Sequence, residues 1–275
     1  MSVARVSTLT KAPILSAIYI YPVKSCRGIS LASARLDARG LEHDRNWMVV
    51  NAEGRFLTQR QLPRLALVET ALEPKFLRLI APNLPELRLS LSGRVGEEVD
   101  VTVWRDHCRA IDQGDEAAEW FSTFLGVTCR LVRMGEGFIR PVDPNYAPED
   151  EQVNFADGFP LLMISEASLA DLNRRCSDPL PMNRFRPNLV VSGCEPFAED
   201  TWHTVGIGKV TFDVVKSCTR CIITTIDQTT GMGGREPLIT LTTYRRVEGG
   251  VIFGQNLIHR GLGEVCLGNA VEVLT

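Results

Sequence analysis

Through much of the first half of the chain, apolar residues recur at every second position. Leu87, Leu89 and Leu91 alternate with Arg88 and Ser90, and Val99, Val101 and Val103 alternate with Asp100 and Thr102. A period of two puts the apolar side chains on one face of a half-buried strand, so Leu15 to Trp104 reads as short strands of a sheet or barrel. The period changes after Asp115. Ala117, Trp120, Phe121 and Phe124 share one face of a helix and Gly126 supplies its stop, which predicts a helix from about Asp115 to Leu125.

Residues 135 to 158 break every period. Gly135-Glu136-Gly137 and Pro141-Val142-Asp143-Pro144-Asn145 cannot form a continuous regular element, so a long loop is expected here, of the kind that lines sites. A second helix is predicted to start at Ser165 and pass through Leu169 and Leu172, and a third from Pro237 to about Tyr244. Strands are predicted at Asn188 to Val191, Lys209 to Val215, Ile222 to Ile226, Val251 to Phe253 and Val265 to Leu274, the last with a turn at Gly268-Asn269. The whole reads as mainly β with some helix, an α+β chain of two domains, 13–125 and 126–275.

At 275 residues the chain can bury a substantial core. Thirty Lys and Arg against 33 Asp and Glu leave a net charge of -3, which offers no footprint for a nucleic-acid polymer or an acidic membrane, so any anion site must be local. Eight cysteines, at 26, 108, 129, 176, 194, 218, 221 and 266, follow no repeating framework and are expected to be reduced thiols. The apolar stretch Ala12 to Val23 imitates a signal peptide, but Lys24 and Arg27 interrupt the path to a cleavage site. No stretch reaches the roughly 18 apolar residues of a membrane span, and a soluble cytoplasmic protein is expected.

The segment richest in chemistry is Lys216-Ser217-Cys218-Thr219-Arg220-Cys221-Ile222-Ile223-Thr224-Thr225. A structural zinc site would need a second pair of Cys or His at short spacing, and none is supplied. A thioredoxin-like motif should open a helix, whereas Cys221 runs into β-branched residues that favour a strand. Both cysteines could be small buried hydrophobes. Against that, Arg220 beside Cys221 would favour the thiolate, the form that binds soft metals.

Two further clusters carry cations. Tyr21-Pro22-Val23-Lys24-Ser25-Cys26-Arg27-Gly28 precedes Asp44-Arg45-Asn46-Trp47, and Lys24, Ser25 and Arg45 together would suit a phosphate. Asn183-Arg184-Phe185-Arg186-Pro187-Asn188 puts two arginines and two amides before an apolar strand, either as a charged strand start or as an anion site.

In this order the clusters resemble the MOSC family, specifically members with an N-terminal MOSC β-barrel domain, such as the mitochondrial amidoxime-reducing component and its bacterial relatives. Tyr-Pro-Val-Lys-Ser-Cys at 21–26, Asp-Arg-Asn-Trp at 44–47, Ser-Glu-Ala-Ser-Leu-Ala-Asp-Leu-Asn at 165–173, Arg-Phe-Arg-Pro-Asn at 184–188 and Cys-Thr-Arg-Cys at 218–221 carry the resemblance, which extends from about Leu15 to Leu274. It implies a MOSC N-terminal β-barrel-like domain followed by a MOSC β-barrel domain with peripheral helices. It implies a molybdenum cofactor, molybdenum with molybdopterin, whose metal is held by Cys221, with Cys218 a neighbour rather than a ligand. By the same resemblance the cofactor contacts fall on Lys24, Ser25, Arg45, Asp157, Gly158, Arg186, Asn188, Thr219 and Arg220. Asn188 would pair with the amide-like edge of the pterin, and Arg220 would both lower the proton affinity of Cys221 and touch the cofactor.

The implied activity is two-electron reduction of N-hydroxylated compounds with loss of oxygen as water. No C-x4-C-x2-C spacing for a plant-type iron–sulfur cluster occurs, so electrons are expected from a separate ferredoxin-like or cytochrome b5-like protein. The membrane anchor of the mitochondrial relatives is expected to be missing. A different class of function stays open: a sulfur carrier or molybdenum-cofactor carrier using Cys221 as persulfide or thiolate.

Overall fold

A computed structural model of the chain describes residues 12–93, 95–147 and 151–275. Among these, strands dominate and three α-helices are present: α1 at Asp115–Leu125, α2 at Glu166–Asn173 and α3 at Leu238–Thr242. The fold is α+β, as the alternating pattern implies. Leu87 and Leu89 are buried with Arg88 outside, and Val101 and Val103 are buried along Glu98–Val103. Helix α1 has the expected bounds, with Ala117, Trp120, Phe121 and Phe124 buried and Gly126 in the left-handed conformation that ends it. Ser165 caps α2 by accepting the Ser168 N–H, whereas Pro237 stands just before α3 rather than inside it.

The largest sheet has nine strands among the described residues. Its path runs Val271–Val273, Thr204–Ile207, Val210–Thr219, Gly250–Arg260, Leu161–Ser165, Leu189–Ser192, Ile14–Ile20 and Ile29–Leu31, with Arg246–Val247 attached to Gly250–Arg260. Leu161–Ser165 and Leu189–Ser192 lie parallel because α2 crosses between them. Trp47–Val50, Arg130–Met134, Asp106–Asp112 and Glu98–Val103 form a four-stranded sheet, against which α1 packs.

The two halves of the chain interlock. Ile14–Ile20, which imitates a signal peptide in sequence, pairs antiparallel with Leu189–Ser192, and Ser33–Asp37 pairs with Gly263–Cys266. One core accordingly joins Leu15, Ile18, Leu36 and Leu41 to Met163, Leu189, Phe212 and Leu257. A second core, with Trp47, Leu65, Leu79, Phe121 and Leu131, is drawn from residues 23–131 alone. Hydrogen-bonded pairing therefore crosses a chain division at 125/126. Between 135 and 158 no helix or strand occurs among the described residues, as expected of the loop; residues 148–150 of it lie outside them.

One predicted strand is absent. Ile222–Thr225 forms a 3-10 turn, with Cys221 at its start. Thr224 Oγ1 donates to the Cys221 carbonyl at 2.9 Å and Thr225 Oγ1 to the Ile222 carbonyl at 2.8 Å, so the hydroxyls satisfy the backbone locally. β-Branched residues favour strands where a pleated surface is half buried, but Ile222 is 57% exposed and has no such surface to meet. The preceding strand runs on to Thr219 instead of stopping near Val215, which takes Cys218 into the sheet and leaves Cys221 beyond its end.

Gly254 sits in the strand beside Leu161–Ser165 with φ +82°, where a Cβ would lie 2.6 Å from Ile164 Cγ1 and 2.9 Å from the Met163 carbonyl oxygen. Gly254→Ala is expected to lower stability by about 1–3 kcal/mol. An unchanged denaturant midpoint would contradict that close approach.

Candidate functional site

The first strand ends at Ile20 and hands over to Tyr21-Pro22-Val23-Lys24. This segment is bound to residues 44–47: Arg45 N–H donates to the Tyr21 carbonyl, Trp47 N–H to Pro22 and Lys24 N–H to Trp47. The buried Asp44 carboxylate accepts the Tyr21 N–H at 2.7 Å and pairs with Arg45 Nη1. Ser25, Arg45 and Arg186 all have left-handed backbones, with φ of 70°, 51° and 55°. Non-glycine residues hold that conformation at a cost, and three at one place mark a backbone shaped for its site.

A cavity of about 140 Å³ opens here. Lys24, Ser25, Arg45, Asp157, Gly158, Arg186, Asn188, Thr219, Arg220 and Cys221 all line it, so every candidate residue meets at one place, as does Cys218. Its charged lining is five cations (Lys24, Arg45, Arg60, Arg186 and Arg220) against one carboxylate, Asp157, among the described residues. On a chain of net charge -3 this is a strong local excess. Phe159, Leu161, Leu162, Phe185 and Ile223 supply an apolar remainder.

Aromatic and carboxylate partners hold these cations in place. Arg45 and Arg186 each stand 4.2 Å from the centre of the Tyr21 ring, whose hydroxyl donates to the Pro187 carbonyl. Burial lowers Arg186 to about 10, and the Arg45 charge pushes the same way. Burial also lowers the Lys24 ammonium, to about 8, although Asp157, 2.5 Å away, works against that. For Asp157, partial desolvation favours the neutral acid, but the Lys24 charge and hydrogen bond, with Arg60, outweigh it and hold the carboxyl well below the usual range. Cys26 is buried and pushed up to about 12, so this thiol stays protonated.

Two expectations change. Arg220 does not serve Cys221: its Nη1 donates to Cys218 Sγ at 2.9 Å and its Nη2 to the Phe185 carbonyl at 2.6 Å. The turn after Thr219 carries the two thiols apart, and Arg60 Nη2 reaches Cys221 Sγ at 3.2 Å. Asn188 is also engaged within the protein. Its Oδ1 accepts from Leu162 N–H and Arg45 Nη1, and its Nδ2 donates to the Tyr19 carbonyl, so the amide orients Arg45 and keeps one N–H for a ligand.

Arg60 and Thr58 escaped the sequence reading, which took their region for strands. The signal was there in the polar run Thr58-Gln59-Arg60-Gln61 between Phe56-Leu57 and Leu62-Pro63. Nothing in that run points to Cys221, 161 positions away.

The donor set suits an anionic, sulfur-ligated group. Arg220 Nε is buried without a partner, an orphan that a ligand acceptor would satisfy. The cations suit a phosphate, and a cysteine sulfur suits a soft metal. No cluster of three or more His, Cys, Asp or Glu that could hold a metal ion occurs among the described residues.

A mainly β protein whose cavity sets a cysteine thiol among five cations is of a kind chemically suited to an anionic group. The comparisons specify it. The MOSC N-terminal beta barrel domain matches residues 12–128 and the MOSC domain residues 150–272. Mitochondrial amidoxime-reducing component 1 of Mus musculus is 38% identical over 94% of this chain and 81% of its own length. Mitochondrial amidoxime reducing component 2 of Bos taurus is 40% identical over 84% of this chain and 72% of its own. A molybdenum cofactor sulfurase of Oryza sativa is 35% identical over 94% of this chain but 34% of its own length. The chain belongs to the MOSC family, among the members with an N-terminal MOSC β-barrel domain, and its function is molybdenum-cofactor-related.

Lys24 makes anion binding depend on pH. Below about 8 it is charged and adds to the cavity's positive potential; above, it is neutral. Sulfate, a dianion throughout, is expected to bind more weakly as pH rises from about 7 to 9, by at most about tenfold per unit for one linked proton. Calorimetry should show this slope for the native protein and a flat profile for Lys24→Met.

Proposed function

We propose that the protein is a molybdenum-dependent reductase of N-hydroxylated compounds such as amidoximes, hydroxylamines and N-hydroxylated bases. The observation that carries this reading is the meeting of Cys221 with the cations in one cavity, in a chain whose relatives are named for amidoxime reduction. Overall, the N-hydroxy compound takes up two electrons and two protons and yields the parent N–H compound and one water. The N–O bond breaks, an N–H bond forms and the oxygen leaves as water. When bound, the molybdenum of the pterin cofactor supplies the two-electron, oxygen-accepting chemistry.

In this reading Cys221 Sγ holds the metal. Lys24, Arg45 and Arg186, with Ser25, bind the cofactor's phosphate by charge-assisted hydrogen bonds. Asp157 keeps Lys24 in place, Asn188 orients Arg45, and Gly158, Thr219 and Arg220 border the cofactor, with Arg220 Nε offered to it. Phe159, Leu162 and Phe185 exclude water from one side. The cavity contains no histidine among the described residues, so the protons come from no ready imidazole. A separate ferredoxin-like or cytochrome b5-like protein delivers the electrons. The eight free thiols suit a reducing, cytoplasmic setting, which the reading includes.

The test pairs metal analysis with turnover of an N-hydroxylated amidine and an artificial reductant. Native protein and Cys218→Ala are expected to hold about one molybdenum per chain and to reduce the substrate. Cys221→Ala should lose both. Full activity in Cys221→Ala would overturn the assignment, and metal-free native protein with a labile sulfane sulfur would favour a sulfur carrier instead.

A further inference from the structure

We infer that Arg60 is the positioning residue of the Cys221 sulfur: it donates a charge-assisted hydrogen bond to Sγ from the first half of the chain and thereby tunes the metal that this sulfur holds. The inference rests on the reading of Cys221 as a molybdenum ligand. Arg60 Nη2 lies 3.2 Å from Sγ. The guanidinium does not depend on that contact for its place. Its carbon stands 4.7 Å over the Trp104 ring, and Nη2 is 3.5 Å from Asp157 Oδ2, the carboxylate shared with Lys24. Trp104 is itself tied to Asp157 by an Nε1 hydrogen bond of 3.2 Å.

The backbone of Arg60 is fixed relative to Cys221 by two buried amides. Gln59 and Gln228 donate to each other's Oε1 at 3.0 Å. Gln59 Nε2 also donates to the Ser25 carbonyl, and Gln228 Nε2 to the Ile226 carbonyl, directly after the turn that Cys221 opens. Within the Arg60 turn, Thr58 Oγ1 accepts the Arg60 N–H and donates to Gln61 Oε1. Reciprocal buried amides tolerate little displacement, since each lost partner leaves a buried polar group unsatisfied. They join the Arg60 turn, the cation loop at Ser25 and the Cys221 turn into one unit.

A coordinated thiolate still has lone pairs that accept hydrogen bonds, and such bonds, with nearby positive charge, stabilise the reduced, more negative state of a metal. Arg220 directs its Nη1 and Nη2 to Cys218 and the Phe185 carbonyl, so the hydrogen bond to the Cys221 sulfur comes from Arg60. Removing the Arg60 donor should therefore make the sulfur a stronger electron donor and lower the metal's reduction potential.

The experiment compares native protein, Arg60→Met, Arg60→Lys and Trp104→Leu, each isolated with its cofactor. Molybdenum per chain, circular dichroism and the one-electron potential of the centre by spectroscopic titration are measured. Arg60→Met is expected to keep the native spectrum and to shift the redox equilibrium at least tenfold toward the oxidised state, which is 59 mV for one electron. Arg60→Lys should recover part of the shift, having the charge without the planar fork. Trp104→Leu, which loosens the guanidinium from an exposed position, should shift the same way by less. If Arg60→Met folds but loads little molybdenum, and Arg60→Lys restores loading, the inference also stands. Full loading with unchanged potentials in the variants that fold would overturn it. Native protein without molybdenum would overturn the functional reading instead, so the two failures are distinct.

Discussion

The buried Asp44 carboxylate accepts the Tyr21 N–H and pairs with the Arg45 guanidinium. Burial raises its proton affinity above that of an ordinary carboxyl, and the Arg45 charge and the hydrogen bonds offset only part of that rise. Through these contacts the end of the first strand is joined to the cation loop, and Arg45 is held over the Tyr21 ring. Asn188 then fastens Arg45 to the strand start at 188, bringing Arg186 to the same ring. A cavity rich in positive charge would otherwise drive its cations apart. Here each is held by an aromatic face, a carboxylate or a carbonyl before any ligand arrives, so little reorganisation is left for binding.

This arrangement depends on the interlocked topology. Ile14–Ile20 lies antiparallel beside Leu189–Ser192, so the loop leaving the first, with Lys24 and Ser25, and the loop entering the second, with Arg186, open at a common end. Gly250–Arg260 lies beside Val210–Thr219 and brings Asn256 and the two thiols to the same cavity. Neither half of the chain contains the site by itself. Arg60 makes the point most directly, since it comes from the region whose core is drawn from residues 23–131 and bonds to a sulfur in the other half.

The two thiols of Cys218-Thr219-Arg220-Cys221 have become different groups. Cys218 stays in the sheet, against the core that contains Phe185 and Phe253, with Arg220 on its sulfur. Cys221 starts a turn, at the cavity wall, with Arg60 on its sulfur. Their separation follows from Thr224 and Thr225, whose hydroxyls close the turn and prevent the strand from running on. A single change of backbone direction thus decides which sulfur faces which arginine.

Alternation in the sequence was enough to read the β-rich fold, and the face and stop signals of α1 were enough to set its bounds, because these depend on neighbours within a few residues. The candidate residues were also legible, since polar and charged side chains crowded beside apolar strands need a purpose, and the family resemblance supplied one. What the sequence could not determine is who touches whom. Local propensity made Ile222–Ile226 a strand, but the exposed surface there and the threonine hydroxyls made it a turn. Adjacency made Arg220 the partner of Cys221, but its side chain turns back to Cys218 and to the distant Phe185 carbonyl, and the fold brings Arg60 to Cys221 from 161 positions away. Contacts of that kind have no periodic signal along the chain; they exist only once two sheets share a core, and the Cys221 sulfur acquires its chemical setting at that stage and not before.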